Sequence, residues 1–187
     1  MKNVILTVFA VMTLLTANAQ STWKVDKSHS SINFSISHYM LSNITGRFGS
    51  FDIEVIANDK FENPTFNVSI DVESIDTNQN ARDKHLKSSD FFNVEVHPKI
   101  TFISSSYKQL EDGNFETSGK ITINGITQDA TFKGKLNGVI KNEKDEKHKA
   151  GFTLTTKIDR EAFKLGSGMA SLGVEVEVVI NIEIKQQ

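Results

Sequence analysis

The stretch "VEVEVVINIEI", residues 174–184, alternates apolar and polar side chains with a period of two. Its even positions carry six apolar side chains, Val174, Val176, Val178, Ile180, Ile182 and Ile184. Its odd positions carry Glu175, Glu177, Asn181 and Glu183, with Val179 as the one apolar exception. Because successive side chains of a β-strand point to opposite faces of the sheet, the pattern predicts a long strand with one buried and one solvated face.

The same alternation recurs along the chain, most clearly in "SSINFSISH" (30–38), "TFNVSIDV" (65–72), "KITFIS" (99–104) and "GFTLTTKI" (151–158). About eight such segments are present, each with one apolar face. A sheet with one apolar side buries that side only by closing on itself or by folding over. The sequence therefore predicts an all-β fold, an eight-stranded antiparallel barrel, with a sandwich as the alternative. A barrel of this size is filled by its own side chains or holds one small ligand, and both remain open here.

Three short segments between predicted strands indicate turns or irregularities. Asn124-Gly125 is the dipeptide typical of a type I′ hairpin, which needs positive φ at both central positions. Asp112-Gly113 is a weaker signal of the same kind. At Gly49-Ser50 the apolar positions change from even to odd numbers, which predicts a β-bulge.

Two segments have a helical pattern. The first, residues 80–88, has Asn80 as a candidate N-cap and places Asp83 four residues before Lys87, the favourable order for a helical ion pair. The second is shorter, residues 159–164, with Asp159 as its candidate cap. We therefore expect one or two short helices beside the barrel.

The first 19 residues, "MKNVILTVFAVMTLLTANA", have the organisation of a secretory signal peptide. Lys2 precedes an apolar run from Val4 to Leu15, and Ala17 and Ala19 form a small-x-small cleavage site. The run is shorter than the roughly 20 residues that span a bilayer. We therefore expect a signal peptide over residues 1–19 and one exported domain over residues 20–187, without stable membrane insertion after cleavage.

The composition excludes several function classes. The formal net charge is −2 and no basic cluster occurs, which argues against a nucleic-acid partner. The chain has no cysteine, so thiol catalysis, thiolate metal sites and disulfides are excluded. Twelve of the thirteen phenylalanines follow residue 19 and must be buried in a core or around a cavity.

The sequence lacks the local signatures of common catalytic and metal sites. There is no G-x-S-x-G elbow, no H-E-x-x-H and no phosphate-binding glycine loop. The five histidines are separated by more than four residues, although His29 and His38 could converge on a metal. We favour a cavity or core role for His38 and predict no metal, no cofactor and no enzymatic activity. A lipid-modifying enzyme that uses His38 or His85 as a base is the alternative.

Arg82, in the first predicted helix, has two interpretations. In the first it is a partly exposed arginine paired with Asp76, Asp83 or Asp90, as surface arginines commonly are. In the second it is a cation at the mouth of a cavity, where its guanidinium group would hold a polar or phosphate headgroup.

Seven segments in this order resemble the YceI-like family of exported lipid-binding proteins, over essentially the whole of residues 20–187. They are "WKVDKSHSSINFSISH" (23–38), "TGRFGSFD" (45–52), "SIDTNQNARDKHLKSSDFF" (74–92), "HPKITFIS" (97–104), "GKITINGIT" (119–127), "AGFTLTTKIDREAFKL" (150–165) and "VEVEVVINIEI" (174–184). The resemblance implies a lipocalin-like barrel with an elongated apolar cavity. It implies binding of an isoprenoid quinone, a polyprenyl lipid or a long-chain fatty amide, in a periplasmic protein without catalytic activity.

The resemblance also implies a set of ligand-binding residues. By position they would be Phe34, Ile36, Phe48, Phe51, Ile70, Phe91, Phe102, Phe132, Phe152 and Phe163. We assign the polar end of the cavity to His38, Arg82 and His85, and we expect the first helix to cover the cavity in part. One segment departs from the family: "REAFKLGSGMASLG", residues 160–173, has lysine and leucine where many members continue with glycine and then tryptophan. The entrance near residues 164–169 is therefore expected to differ. A filled barrel that acts as an interaction module is the competing interpretation, and self-association as a homodimer stays open.

Overall fold

The computed structural model describes residues 20–187, so the predicted signal peptide, residues 1–19, lies outside the described range. The described part contains the β-strands β1 Ser21–Val25, β2 Ser31–His38, β3 Ser42–Phe48, β4 Phe51–Ala57, β5 Thr65–Asp71, β6 Ile75–Asp76, β7 Lys99–Gln109, β8 Asn114–Ile123, β9 Ile126–Lys141, β10 His148–Asp159 and β11 Leu172–Gln186. It contains one α-helix, α1 Asn80–Lys87. The prediction of an all-β fold with a short helix is confirmed.

The strands form one closed antiparallel sheet. The order around the barrel is β1-β4-β5-β7-β8-β9-β10-β11, and β11 then pairs with β1 to close the ring. On the side opposite β10, the long strand β11 pairs with two segments in turn. Residues 184–186 pair with β1 and residues 172–181 pair with β2. Closure satisfies the backbone groups that an open sheet edge would leave unpaired.

Three of the eight barrel strands are interrupted, which is why eleven segments make eight strands. A 3₁₀ turn, Lys27–His29, separates β1 from β2, and another, Val72–Ser74, separates β5 from β6. The third interruption is at Gly49-Ser50, between Phe48 and Phe51, which are both buried. The predicted change of apolar phase is therefore present, but it takes the form of a break in the strand instead of a β-bulge.

The hairpin predicted at Asn124-Gly125 is confirmed. Ile123 and Ile126 pair directly across it, and both central residues have positive φ, 48° for Asn124 and 72° for Gly125. The side chain of Asn124 also donates to the backbone carbonyl of Phe163 at 3.2 Å. The turn therefore joins two strands and holds the segment after β10 as well. The weaker signal, Asp112-Gly113, also lies in a hairpin, between β7 and β8.

Replacing Gly125 with alanine is expected to lower the free energy of unfolding by about 1–2 kcal/mol. Alanine at this position would have to adopt φ +72°, which residues with a side chain rarely do. Its Cβ would also lie only 2.4 Å from Cε1 of His97. Urea denaturation measures the change. Gly138→Ala is the matched control, because no atom lies within 4 Å of its added Cβ, and we expect a shift below about 0.5 kcal/mol. Equal shifts in the two variants would contradict the assigned turn geometry.

Five aromatic side chains fill one end of the barrel. We call this set, Trp23, Phe61, Phe66, Phe115 and Phe152, the aromatic cluster. Its rings contact one another at centroid distances of 5.7 Å for Trp23–Phe61, 5.6 Å for Phe61–Phe152 and 6.2 Å for Phe66–Phe115. The indole of Trp23 is fully buried and donates to the carbonyl of Ala57 at 3.2 Å. The barrel interior is therefore filled with side chains at this end, where β1 pairs with β11.

The N-cap of helix α1 lies one residue before the predicted one. Gln79 is the N-cap, and its side chain accepts from the backbone N–H of Arg82 at 2.6 Å, while Asn80 is the first helical residue. The second predicted helix is a single 3₁₀ turn, Glu161–Phe163. The carboxylate of Asp159 accepts from backbone N–H groups at the start of this turn, as a cap does.

Candidate ligand-binding cavity

A cavity of about 770 Å³ occupies the barrel interior on the far side of the aromatic cluster. Phe66 and Thr117 contribute to its wall near the cluster, and residues of β2 and β3 contribute near the other end. The wall is predominantly apolar. Its size falls within the range of about 300–1,000 Å³ that is typical of small-molecule sites.

Ten of the thirteen predicted ligand-binding residues line this cavity. They are Phe34, Ile36, His38, Phe48, Ile70, Arg82, His85, Phe91, Phe102 and Phe132. The expected cover is also present, because Arg82, His85 and Leu86 of α1 all contribute to the wall. Contact of these residues with a ligand stays a prediction.

The other three predicted residues, Phe51, Phe152 and Phe163, are buried but are not part of the cavity wall. Phe152 packs in the aromatic cluster, 5.7 Å from the ring of Phe66. Phe51 lies beyond the break that follows Phe48, where it packs into the core. Phe163 belongs to the 3₁₀ turn after β10 and packs in the core there. Inward orientation alone therefore does not identify a wall residue.

The prediction missed a large aliphatic part of the wall. These residues are Ile121, Ile123, Leu154, Ile158, Val176, Val178, Ile180, Leu165, Met169 and Leu172. The period-two pattern of β8, β10 and β11 already placed most of them on inward faces. The signal that could have found them was present, but the prediction was restricted to the aromatic positions and their neighbours.

Arg82 lines the cavity and donates to one residue. Its Nε lies 2.7 Å from Oγ1 of Thr77 and its Nη2 lies 2.6 Å from the carbonyl oxygen of Thr77. None of the predicted partners Asp76, Asp83 and Asp90 forms an ion pair with it within the described residues. Arg82 is therefore a half-buried cation in the cavity wall that forms no ion pair with a carboxylate of residues 20–187.

The three carboxylates bind other groups. Asp76 accepts from Arg47 across the β3–β6 pair at 2.9 Å, and Asp90 lies 3.1 Å from Nε2 of His85. Asp83 accepts from both the backbone N–H and the hydroxyl of Thr77, at 2.9 and 2.5 Å. Asp83 therefore orients the threonine that Arg82 contacts and acts on the arginine through it.

His85 joins α1 to the turn that follows it. Besides its bond to Asp90, its ring packs edge-on against Phe91, with centroids 5.0 Å apart. Phe91 and Phe92 both line the cavity, because they lie in a turn and not on a strand, where alternation would have separated them. His85 therefore braces the cover and also borders the cavity.

His38 and His29 do not converge. His38 ends β2 and lines the cavity, with its ring 4.6 Å from that of Tyr39. His29 precedes β2, so the two are separated by an extended strand, on the order of 25 Å. The proposed pairing of these two histidines on a metal is therefore wrong.

His29 instead lies beside Asp26 and Glu183, the one three-residue set in residues 20–187 whose geometry could hold a metal ion. Nδ1 of His29 lies 3.0 Å from a carboxylate oxygen of Asp26, and this hydrogen bond lowers the pKa of Asp26 and raises the pKa of His29. Glu183 forms an ion pair with Lys149 at 2.6 Å. Both carboxylates therefore already have side-chain partners, His29 for Asp26 and Lys149 for Glu183.

Arg160 is the buried charge that the sequence analysis did not single out. Only 2% of the residue is exposed. Its guanidinium group donates to five backbone carbonyls and to the carboxylate of Glu161 at 3.3 Å. The carbonyls, at distances from 2.7 to 3.3 Å, belong to Leu165, Gly166, Met169, Leu172 and Gly173.

We call the segment 161–173, folded around this guanidinium group, the arginine loop. It lies within residues 160–173, the segment expected from the resemblance to depart from the family pattern. Leu165, Met169 and Leu172 of the loop line the cavity. Arg160 therefore fixes the shape of one side of the cavity mouth by hydrogen bonds to the backbone.

Comparison with known proteins agrees with this architecture. The model of the YceI-like domain matches residues 23–185. The protein YceI of Salmonella agona is 35% identical over 192 aligned positions, which cover 100% of this chain and 98% of that relative. The chain belongs to the YceI-like family.

Two solved structures extend the comparison. The YCEI protein of Campylobacter jejuni superimposes with a TM-score of 0.73 at 29% identity, covering 87% of this chain and 96% of that one. A polyisoprenoid binding domain from Saccharophagus degradans, implicated in plant cell wall breakdown, superimposes with a TM-score of 0.64 at 13% identity, covering 88% and 98%. The second likeness shows the fold alone. Within residues 20–187, no helix is both long and apolar enough to cross a membrane.

Proposed function

We propose that this protein binds a long-chain apolar lipid in the barrel cavity and carries or stores it without chemical change. The observation that carries the proposal is the apolar cavity of about 770 Å³, which is bordered by the aromatic cluster, α1 and the arginine loop. Burial of a hydrocarbon chain gains about 0.8 kcal/mol per CH₂. A filled barrel would have no such space. The Saccharophagus degradans neighbour, a polyisoprenoid binding domain, supports the same ligand class.

The polar groups beside α1 support this ligand class. Thr77, Asn78, Arg82 and His85 lie together where α1 meets the barrel, whereas β8, β10 and β11 present mainly aliphatic side chains. A ligand with one polar head and one long apolar tail matches this arrangement, with the head beside Arg82. An isoprenoid quinone, a polyprenyl lipid and a fatty amide all have this form.

Titration of delipidated protein tests the proposal. The probes are a long-tailed ubiquinone, a polyprenol and a long-chain fatty amide, each added to the full-length mature protein. We expect saturable binding of at least one probe at one molecule per barrel, with a rise in the thermal unfolding midpoint because ligand binds the folded state. Failure of all three to bind or to raise the midpoint would contradict the proposal.

Replacing Arg82 with alanine is expected to weaken binding of the probe that binds the wild-type protein by about tenfold. A hydrogen bond from a charged donor contributes about 1.5–3 kcal/mol, and Arg82 has no carboxylate partner within the described residues. Isothermal titration measures the affinity, and urea denaturation of the empty protein measures stability. Lys84→Ala is the control, an exposed cation of the same helix outside the cavity wall. Lost stability with unchanged affinity would show that Arg82 only braces the helix.

We further propose that the protein is exported and acts in the periplasm. The support is the signal-peptide organisation of residues 1–19 and the membership of the family. Fractionation of the native host and N-terminal sequencing of the purified protein test this. We expect a periplasmic protein that begins at Gln20, and a cytoplasmic protein that retains Met1 would contradict it.

A further inference from the structure

The hairpin between β2 and β3 ends in three large apolar side chains that face solvent. Tyr39 is 63% exposed, Met40 is 95% exposed and Leu41 is 88% exposed. We call these three residues the apolar tip. Single exposed apolar residues are ordinary, but a contiguous exposed group indicates an interaction site.

The backbone of the apolar tip is strained as well as exposed. The N–H of Leu41 donates to the carbonyl of His38 at 3.0 Å, which closes a four-residue turn. Its central residues have positive φ, 50° for Tyr39 and 54° for Met40. Type I′ turns of this kind strongly prefer asparagine and glycine, and the chain uses that pair at Asn124-Gly125. The positive φ of Tyr39 and Met40 lowers the stability of the fold, and their exposed apolar side chains lower its solubility. This combination is typical of functional positions.

The apolar tip lies at the mouth of the cavity. The flanking residues His38, Ser42 and Asn43 line the cavity, and the N–H of Tyr39 donates to the carbonyl of Ser171 in the arginine loop at 2.7 Å. The strand β3 pairs with β6 only through Arg47 and Phe48. Residues 42–46 therefore pair with no strand of residues 20–187 on that side, next to the cavity.

The two segments that meet at the apolar tip carry no formal charge. Residues 28–46 contain no aspartate, glutamate, lysine or arginine, and neither do residues 166–174. Insertion of this rim into an apolar medium would therefore bury no ionised carboxylate or ammonium group, the most costly groups to desolvate. The absence of carboxylates also avoids repulsion from anionic lipid headgroups.

We propose that the apolar tip inserts into the interfacial region of a lipid bilayer and holds the cavity mouth against it. Tyrosine suits this depth, because its ring is apolar and its hydroxyl reaches the polar layer. Three side chains on a convex hairpin are too few for a stable protein interface, which buries about 800 Å² on each partner. The passage of lipid between bilayer and cavity rests on the proposed function, whereas the docking itself does not.

A vesicle flotation experiment with the double variant Tyr39→Asn/Met40→Gly tests the docking. The vesicles contain phosphatidylethanolamine and phosphatidylglycerol in a 3:1 ratio, and the protein is delipidated. We expect wild-type protein to float with the vesicles, and we expect the vesicle-bound fraction of the variant to be at least about fivefold smaller. The thermal unfolding midpoint of the variant should equal or exceed that of the wild type. Rising stability with falling binding excludes damage to the fold as the cause.

The control is Ile103→Thr/Ile140→Thr, which removes two other exposed apolar side chains, 60% and 64% exposed, on β7 and β9. This control is expected to float as the wild type does. Wild-type protein that does not float, or a tip variant that floats unchanged, would overturn the proposal. A third outcome would also overturn it. If the wild-type protein binds no vesicles but forms a concentration-dependent dimer that only the tip variant loses, the apolar tip contacts a second copy of this chain. Uptake of the fatty amide from solution, measured on the same samples, reports separately on the cavity.

Discussion

Replacing Arg160 with methionine is expected to lower the free energy of unfolding by about 3–5 kcal/mol. The substitution keeps an unbranched stem but removes every donor, so five backbone carbonyls of the arginine loop lose their charged partner. A buried polar group without a partner costs about 1–3 kcal/mol. Local rearrangement that admits water reduces the sum to the range stated. Urea denaturation of the delipidated protein measures the change.

Arg47→Met is the matched control for this experiment. Arg47 is exposed and its guanidinium group binds Asp76 on the barrel surface at 2.9 Å. Exposed ion pairs contribute about 0–1 kcal/mol, so we expect a correspondingly small loss of stability. A loss at Arg160 no larger than the loss at Arg47 would contradict the assignment of Arg160 as the group that organises the loop.

Replacing Val178 with tryptophan is expected to weaken lipid binding by about a hundredfold. Val178 is a half-buried wall residue of β11, and a bulky ring there would occupy volume that the lipid tail needs. Excluding three or four methylene groups from burial, at about 0.8 kcal/mol each, corresponds to this factor. Titration with the probe that binds wild-type protein most tightly measures the loss.

Val174→Trp serves as the control on the same strand with the same substitution. Val174 is exposed and is not part of the cavity wall. We expect binding within twofold of wild type and an unfolding free energy within about 1 kcal/mol for this variant. Binding that survives in Val178→Trp, or that fails equally in both variants, would show that the barrel interior is not the lipid site.

The period-two pattern predicted the strands well, because the face on which a side chain lies depends only on its position within the strand. Even so, Val174 was predicted to face inward with Val176 and is exposed. The pairing of β11 with β2 is irregular between Leu172 and Val176, so the alternation does not continue through it. The position of an irregularity of this kind depends on the partner strand, which lies far away in sequence.

The cavity could be predicted only in part, because filling the barrel is a long-range property. Phe152 and Leu154 face inward on the same strand, yet Phe152 packs in the aromatic cluster and Leu154 lines the cavity. Their difference arises from the residues that meet them from other strands, such as Phe61 and Phe66. A pattern in one strand does not contain that information.

The charge pairs were the least predictable part of the site. Arg82 is close in sequence to Asp83 and Asp90, but its guanidinium group reaches Thr77 instead. The five N–H groups of a guanidinium group lie in one plane and donate only to acceptors near that plane. The geometry of the helix and of the strand before it therefore decides the pairing.

Native mass spectrometry of the protein purified from its own host, without detergent or delipidation, tests the central claim most directly. We predict a complex of one protein chain with one lipid molecule, released by organic solvent and identified in the extract as a long single-tailed apolar lipid. The same preparation of Val178→Trp should lack this complex. Wild-type protein that carries no lipid, and whose extract matches that of Val178→Trp, would contradict the account.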